Sequence, residues 1–143
     1  MKFNNFAKYA GSDGVIFEVE NGDKWLFYGS AGMKIPEGKN VCGNITKMPE
    51  FVYKLINTNE IEPCELEGAF VPNKDSKPSE LLRKFGKDVF EIDVPNKIYG
   101  FIESHDRTFI GIYDDDDNDY TALLVTDDYE DDPEFKMIYF VKD

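Results

Sequence analysis

Histidine is almost missing from this sequence: the single copy, His105, leaves the chain without the usual general base and rules out any multi-histidine metal site. Cysteine is nearly as scarce. Cys42 and Cys64 have 21 residues between them, which is not a metal-ligand spacing. Pairing them would close a loop worth about 3 kcal/mol in the chain-entropy picture, but two free buried thiols are the expectation in a reducing cytosol. No apolar run approaches the length that spans a bilayer, and Met1 to Phe6 lack the apolar core of a signal peptide, so the expected setting is soluble and cytosolic. Positive charge is short too, with 16 Lys and Arg against 29 Asp and Glu and a net charge of −13. A field of that sign repels nucleic-acid phosphates and anionic headgroups while attracting basic surfaces or cations. The expectation is no direct nucleic-acid binding and no membrane partner.

What is abundant is aromatic: twelve Phe, eight Tyr and one Trp. With an ordinary apolar fraction, the charge excess does not imply disorder. At 143 residues the chain matches the usual size of one domain, taken here as 1–143, and can bury roughly two thirds of its unfolded surface. The charge is unevenly placed. Residues 1–86 hold 12 acids and 11 bases, whereas 87–143 hold 17 acids and 5 bases.

The strongest local signal is Val15 to Tyr28, two apolar-rich runs joined by Asn21-Gly22. Asn-Gly between alternating hydrophobics predicts a β-hairpin, because a type I′ turn needs positive φ at both central residues. A two-residue turn would set Glu18 opposite Trp25 and Ile16 opposite Phe27, leaving Phe17, Val19 and Leu26 on the core face. Trp25 and Phe27 would then lie on the other face beside two acids, either covered by a second layer or open as a contact surface.

Along the chain, Phe3, Phe6 and Ala7 follow helical spacing and Ala10-Gly11 would end a short helix, with a strand as the alternative over so few residues. Gly29 to Gly32 and Ile35 to Gly38 read as a loop with two turns, the second with Pro36 at its first central position. No Lys-Ser/Thr follows, so a phosphate loop is excluded. Residues 49–57 predict an amphipathic helix carried by Phe51, Val52, Leu55 and Ile56, with Pro49 in its first position. Leu66 to Val71 suggests an edge strand, and Ser79 to Phe85 a helix with Gly86 just past its end. From residue 88 the pattern turns to strands at 89–94, 98–103, 108–113, 120–126 and 135–141, expected to pair as an antiparallel meander. The fold expected is α+β: an antiparallel β-rich domain, rolled or two-layered, with two or three short helices and no internal repeat.

Residues Asp114 to Asp119 look like a calcium loop, but an EF-hand begun at Asp114 would need Gly at its sixth position and Glu at its twelfth, and finds Asp119 and Val125. The run reads as a solvated turn, with no metal and no cofactor. Together with Asp127 to Glu134 it raises a second idea, imitation of a nucleic-acid backbone for a basic partner, although the two runs sit about 20 Å apart at opposite ends of one strand. Ser104-His105-Asp106 has the residue types of a triad, yet adjacent residues rarely converge, so it reads as a turn. Nothing selects a catalytic pair of acids, and the expectation is that the protein is not an enzyme. Candidate partner-binding residues are Trp25 and Phe27 on the aromatic side and Asp115, Asp117, Asp128 and Asp131 on the acidic side.

Phe3, Phe6, Tyr9 to Gly11, Gly14, Asn21 to Leu26 and Met33 to Gly38 carry a resemblance that continues loosely through Tyr99 to Glu103. In these residues the N-terminal third resembles small uncharacterised proteins of tailed phages and prophages of gut Firmicutes. The resemblance covers about forty residues and includes no motif tied to chemistry. It implies a phage setting: synthesis in the host cytoplasm, and a role either as a virion-associated or assembly protein or as an anti-defence inhibitor of a host nuclease. The leading expectation is the first, a structural or accessory protein acting through a protein partner.

Overall fold

The N-terminal hairpin forms, but one residue out of the expected register. In the computed structural model, which describes residues 2–41, 43–57, 64–65, 70–71, 79–85, 88–94, 96–102, 108–115, 120–127 and 135–141, strands β1 (Val15–Glu18) and β2 (Lys24–Tyr28) pair with Ile16 opposite Leu26 and Phe17 opposite Trp25. The turn is longer than two residues. Gly22 N–H donates to Val19 O and Val19 N–H to Asp23 O, both at 2.9 Å, with Gly22 at φ +91°. That is a three-residue loop with glycine in the left-handed position. The Asn21 side chain fastens it, accepting from Asp23 N–H at 2.9 Å and donating to the Asp23 carboxylate at 3.0 Å. A one-residue slip moves every side chain of one strand to the other face. Ile16 and Leu26 therefore share one buried face, and Phe17, Val19 and Trp25 the other.

The remaining described elements, in chain order, are helix α1 (Phe3–Ala10), a 3-10 turn (Gly11–Asp13), β3 (Ala31–Lys34), β4 (Ile45–Lys47), α2 (Glu50–Ile56), β5 (Cys64–Glu65), β6 (Phe70–Val71), β7 (Ser79–Phe85), β8 (Asp88–Val94), α3 (Asn96–Ile102), β9 (Phe109–Asp115), β10 (Tyr120–Thr126) and β11 (Met137–Val141). Eight strands form one sheet in the order β4-β1-β2-β3-β11-β10-β9-β5, and β6-β7-β8 form a second. The expected α+β, β-rich character is present, with the N-terminal hairpin and the β9-β10-β11 meander in the same sheet. One pair departs from the antiparallel pattern: β1 and β4 run parallel, making the sheet mixed.

What joins the two halves is β3, a strand inside the stretch expected to be a loop with two turns. Gly29, at φ +61°, opens a two-residue reversal after Tyr28, and β3 then pairs with β2 on one side and β11 on the other. The later turn is also shifted by one residue: Lys39 N–H donates to Pro36 O at 3.1 Å and Gly38 takes φ +84°, so Glu37 and Gly38 are the central pair. Positive φ at the second central position belongs to a type II turn.

Two further readings are corrected. Residues 79–85 form a strand, not a helix, because Leu81 pairs with Ile92 and Arg83 with Phe90 in a hairpin whose partner strand is strongly β-favouring. Residues 96–102 form a helix, not a strand. Ile98, Phe101 and Ile102 recur at the three- and four-residue spacing of a helix face, and all three are buried. The α1 and α2 helices form as expected, with Pro49 as the N-cap of α2 instead of its first residue. The Leu66 to Val71 strand is described only at Phe70–Val71. Cys42 and the Ser104 to Asp106 segment lie outside the described residues, as do positions 116–119 of the aspartate run.

Helices pack on both faces of the large sheet. On one, a row of paired residues runs Ile16, Leu26, Met33, Met137, Val125, Ile110, and α1 and α3 close over it with Phe3, Phe6, Ala10, Ile98, Phe101 and Ile102. The helices are tied together by Lys2 N–H donating to Phe101 O at 2.9 Å and by an edge-on contact of the Phe6 and Phe101 rings at 5.5 Å. On the other face α2 lays Val52, Leu55 and Ile56 over Trp25, Leu124, Ile138 and Phe135. Full burial of each such side chain contributes roughly 1.5–3 kcal/mol.

Candidate functional site

The α2 helix is only seven residues long, too short to cover the sheet face beneath it. With Val52, Leu55 and Ile56 turned inward, Phe51 and Tyr53 fall on its flanks and stay 53% and 46% exposed. Phe51 does not stand alone. Its ring centroid lies 6.1 Å from Phe140 and 6.3 Å from Tyr120; the Tyr120 and Phe140 rings meet edge-on at 5.8 Å, and Tyr113 lies 6.2 Å from Tyr120. Sheet register gathers them. Ala122 pairs with Tyr113 on one side and Phe140 on the other, so three neighbouring strands bring rings together around one small residue. Tyr113, Tyr120 and Phe140 are half-buried, and with the exposed Phe51 they form one aromatic cluster.

The sequence next to this cluster is acidic. Tyr113 and Tyr120 bracket the run from Asp114 to Asp119, and Asp115 pairs directly with Tyr120. Among the described residues, Lys54 pairs with Glu50 at 3.4 Å, Lys136 with Asp127 at 2.9 Å, and Lys34 with Asp23 at 3.3 Å near the hairpin tip.

The candidate residues read from sequence are scattered by the structure. Trp25 is 1% exposed beneath α2, so it is a core residue and not a surface contact; the register slip explains the difference. Phe27 is half-buried and already occupied: its ring packs at 5.0 Å from Phe17 and lies over Gly32, where a Cβ would come within 2.5 Å of it. Asp115 is at the end of β9, beside the aromatic cluster. Asp117, Asp128 and Asp131 lie outside the described residues. The residues missed were Phe51, Tyr113, Tyr120 and Phe140. The sequence held no signal for their grouping, because Phe51 reaches Tyr120 and Phe140 only through the placement of α2 on the sheet.

On the opposite face a shallow depression of about 430 Å³ is lined by Asn5, Tyr9, Lys97, Gly100 and Phe101. The Lys97 ammonium sits 5.3 Å from the centre of the Tyr9 ring, and that ring contacts Tyr28 at 5.0 Å. Nearby Tyr139 has its hydroxyl pKa raised above the ordinary 10.0 by burial and by Tyr9. Among the described residues no group of His, Cys, Asp and Glu is arranged to hold a metal ion, and no helix is long and apolar enough to cross a membrane. Comparison with protein-family models, curated proteins and solved structures found no match to this chain.

Proposed function

We propose that this is a non-enzymatic, phage-type structural or accessory protein that works by protein–protein contact, as a virion-associated or assembly component, and that it meets its partner through Phe51, Tyr113, Tyr120 and Phe140. What carries the reading is Phe51, a large apolar ring 53% exposed within a four-ring cluster. Aromatic anchors ringed by polar surface are the residues that dominate interface energies. The phage setting rests on the resemblance of the N-terminal third. A second reading, an acidic inhibitor that occupies a nucleic-acid channel of a host defence nuclease, is favoured by the charge of residues 87–143, with 17 acids against 5 bases.

Affinity capture from a phage-infected or lysogenic host separates the two. The bait is the full chain in three forms: unchanged, Phe51→Ser, and Asn at Asp115, Asp117, Asp128 and Asp131. Under the first reading Phe51→Ser loses the partner at low and high salt. Under the second the Asn variant loses it, and about 0.5 M salt releases it from the unchanged chain, because the Debye length is then only a few Å. Retention of the partner by Phe51→Ser ends the first reading.

A further inference from the structure

We infer that the depression between α1 and α3 is a binding site for a small aromatic carboxylate, whose ring lies against Tyr9 and Phe101 while its carboxylate accepts from the Lys97 ammonium and the Asn5 amide. The site is on the other side of the sheet from Phe51 and is independent of that contact. Its floor is the first sign of an occupant. Gly100 sits inside α3, where glycine is the poorest helix former after proline. A glycine is ordinarily kept in such a place for a left-handed φ or a close neighbour. Gly100 has neither: it is not one of the positive-φ glycines, and a Cβ built on it would meet no heavy atom within 4 Å. What the missing side chain leaves is room, about 430 Å³ shared with Asn5, Tyr9, Lys97 and Phe101, within the usual range for small-molecule sites. Local preference is most often set aside where a site needs it.

Tyr9 forms the wall. Its ring is 41% exposed yet fixed, edge-on to Tyr28 at 5.0 Å and tilted against Phe101 at 5.4 Å. Lys97 stands over it at 5.3 Å, and among the described residues no carboxylate pairs with that ammonium, so its N–H donors are open to a ligand. Neither helix contains Asp or Glu, while Lys2, Lys8 and Lys97 lie on or beside them. The net charge of −13 opposes any anion, but at physiological salt the Debye length is about 8 Å, and contact with Lys97 outweighs charges beyond that range. One cation in the lining also sets the charge of the ligand. A carboxylate matches it one for one, whereas a phosphate, at about −1.5 to −2, would bring surplus negative charge to an acidic chain. The rings supply the contact that a bare acid such as acetate lacks.

The test titrates the full, isotope-labelled chain with benzoate, benzamide, benzylammonium and acetate, following amide shifts by two-dimensional NMR. Benzoate is expected to give saturable shifts at Asn5 and Gly100 with a Kd on the order of 1 mM, the range a molecule of its size reaches at a shallow site. Benzamide, the neutral isostere, should bind several-fold more weakly, and acetate and benzylammonium should not saturate. Lys97→Met should bring benzoate down to the affinity of benzamide. Gly100→Leu should abolish binding by filling the space, with Tm unchanged or higher because leucine is the better helix former. Lys97 is exposed, so its variant stays readable even where Gly100→Leu disturbs α3. A benzoate preference that disappears in Lys97→Met upholds the inference, as does loss of binding in a folded Gly100→Leu chain. Equal affinity for benzoate and benzamide, a preference that survives Lys97→Met, or unchanged binding in Gly100→Leu overturns it. So do shifts centred on Phe51 instead of Gly100, and so does a failure of benzoate to saturate.

Discussion

The two faces of the large sheet are built from the same strands and end up different. On the α1/α3 side two helices close over the paired row from Ile16 to Ile110, and Phe6, Ile102, Leu123 and Met137 are sealed. On the α2 side a single short helix seals Trp25, Leu124 and Ile138 but leaves Phe51, Tyr113, Tyr120 and Phe140 partly in water. Both faces are apolar in sequence, so strand pattern alone does not distinguish core from surface here. The number and length of the helices laid across each face decide it.

The harshest way to break this comparison is Trp25→Ala. If Trp25 is core, truncation should cost about 3–5 kcal/mol, read as a lower midpoint in urea denaturation. A loss under about 1 kcal/mol would return Trp25 to the surface. The next effect concerns the seam where the hairpin joins β3. Gly32→Ala drives a methyl group into the Phe27 ring and should cost about 1–3 kcal/mol, with Phe27→Leu in the same chain recovering part of it. No recovery in the double variant would mean that the ring does not lie over that glycine.

Gly22→Val tests the hairpin tip that fixes which residues share a face. A β-branched residue at φ +91° should cost about 1–2 kcal/mol, measured as a drop in Tm. Smaller again is a pH effect confined to the α1/α3 side. Because the Tyr139 pKa is raised in the folded state, its contribution is whole below pH 10.0 and is lost as pH climbs above that value. Alkaline denaturation should therefore be steeper than in Tyr139→Phe, and identical curves would count against a buried hydroxyl. The smallest stability effect belongs to Phe51→Ala, within about 1 kcal/mol. The contrast with Trp25 is what sharpens the division between sealed and open faces: two aromatics on the same side, one costly to fold and one costly only to binding.

How much of this was legible follows from where local pattern and pairing agree. The α1 helix, α2 and strands β8 to β11 could be read because periodicity and turn residues pointed the same way. Ser79 to Phe85 consists mostly of good helix formers, and only its pairing with β8 makes it a strand. Asn96 to Ile102 misleads in the opposite sense: Ile, Tyr and Phe favour strands by type, while the spacing of Ile98, Phe101 and Ile102 is helical. The hairpin was recognised, yet one extra turn residue, held by the Asn21 side chain, exchanged its faces. That single residue moved Trp25 inside. The aromatic cluster was out of reach because Phe51 and Tyr120 meet only through the tertiary placement of α2.

The strand that joins the halves also sets a timetable for the chain. β3 pairs Met33 with Met137 and Ala31 with Tyr139, residues roughly a hundred positions apart, so closing the sheet entails a large loop-closure entropy. On a ribosome the hairpin and β3 emerge early and wait with one edge unpaired until β11 arrives. Folding should therefore be slow for a chain of this size, and a transcript truncated before Met137 would leave β3 as an open template for pairing with other chains.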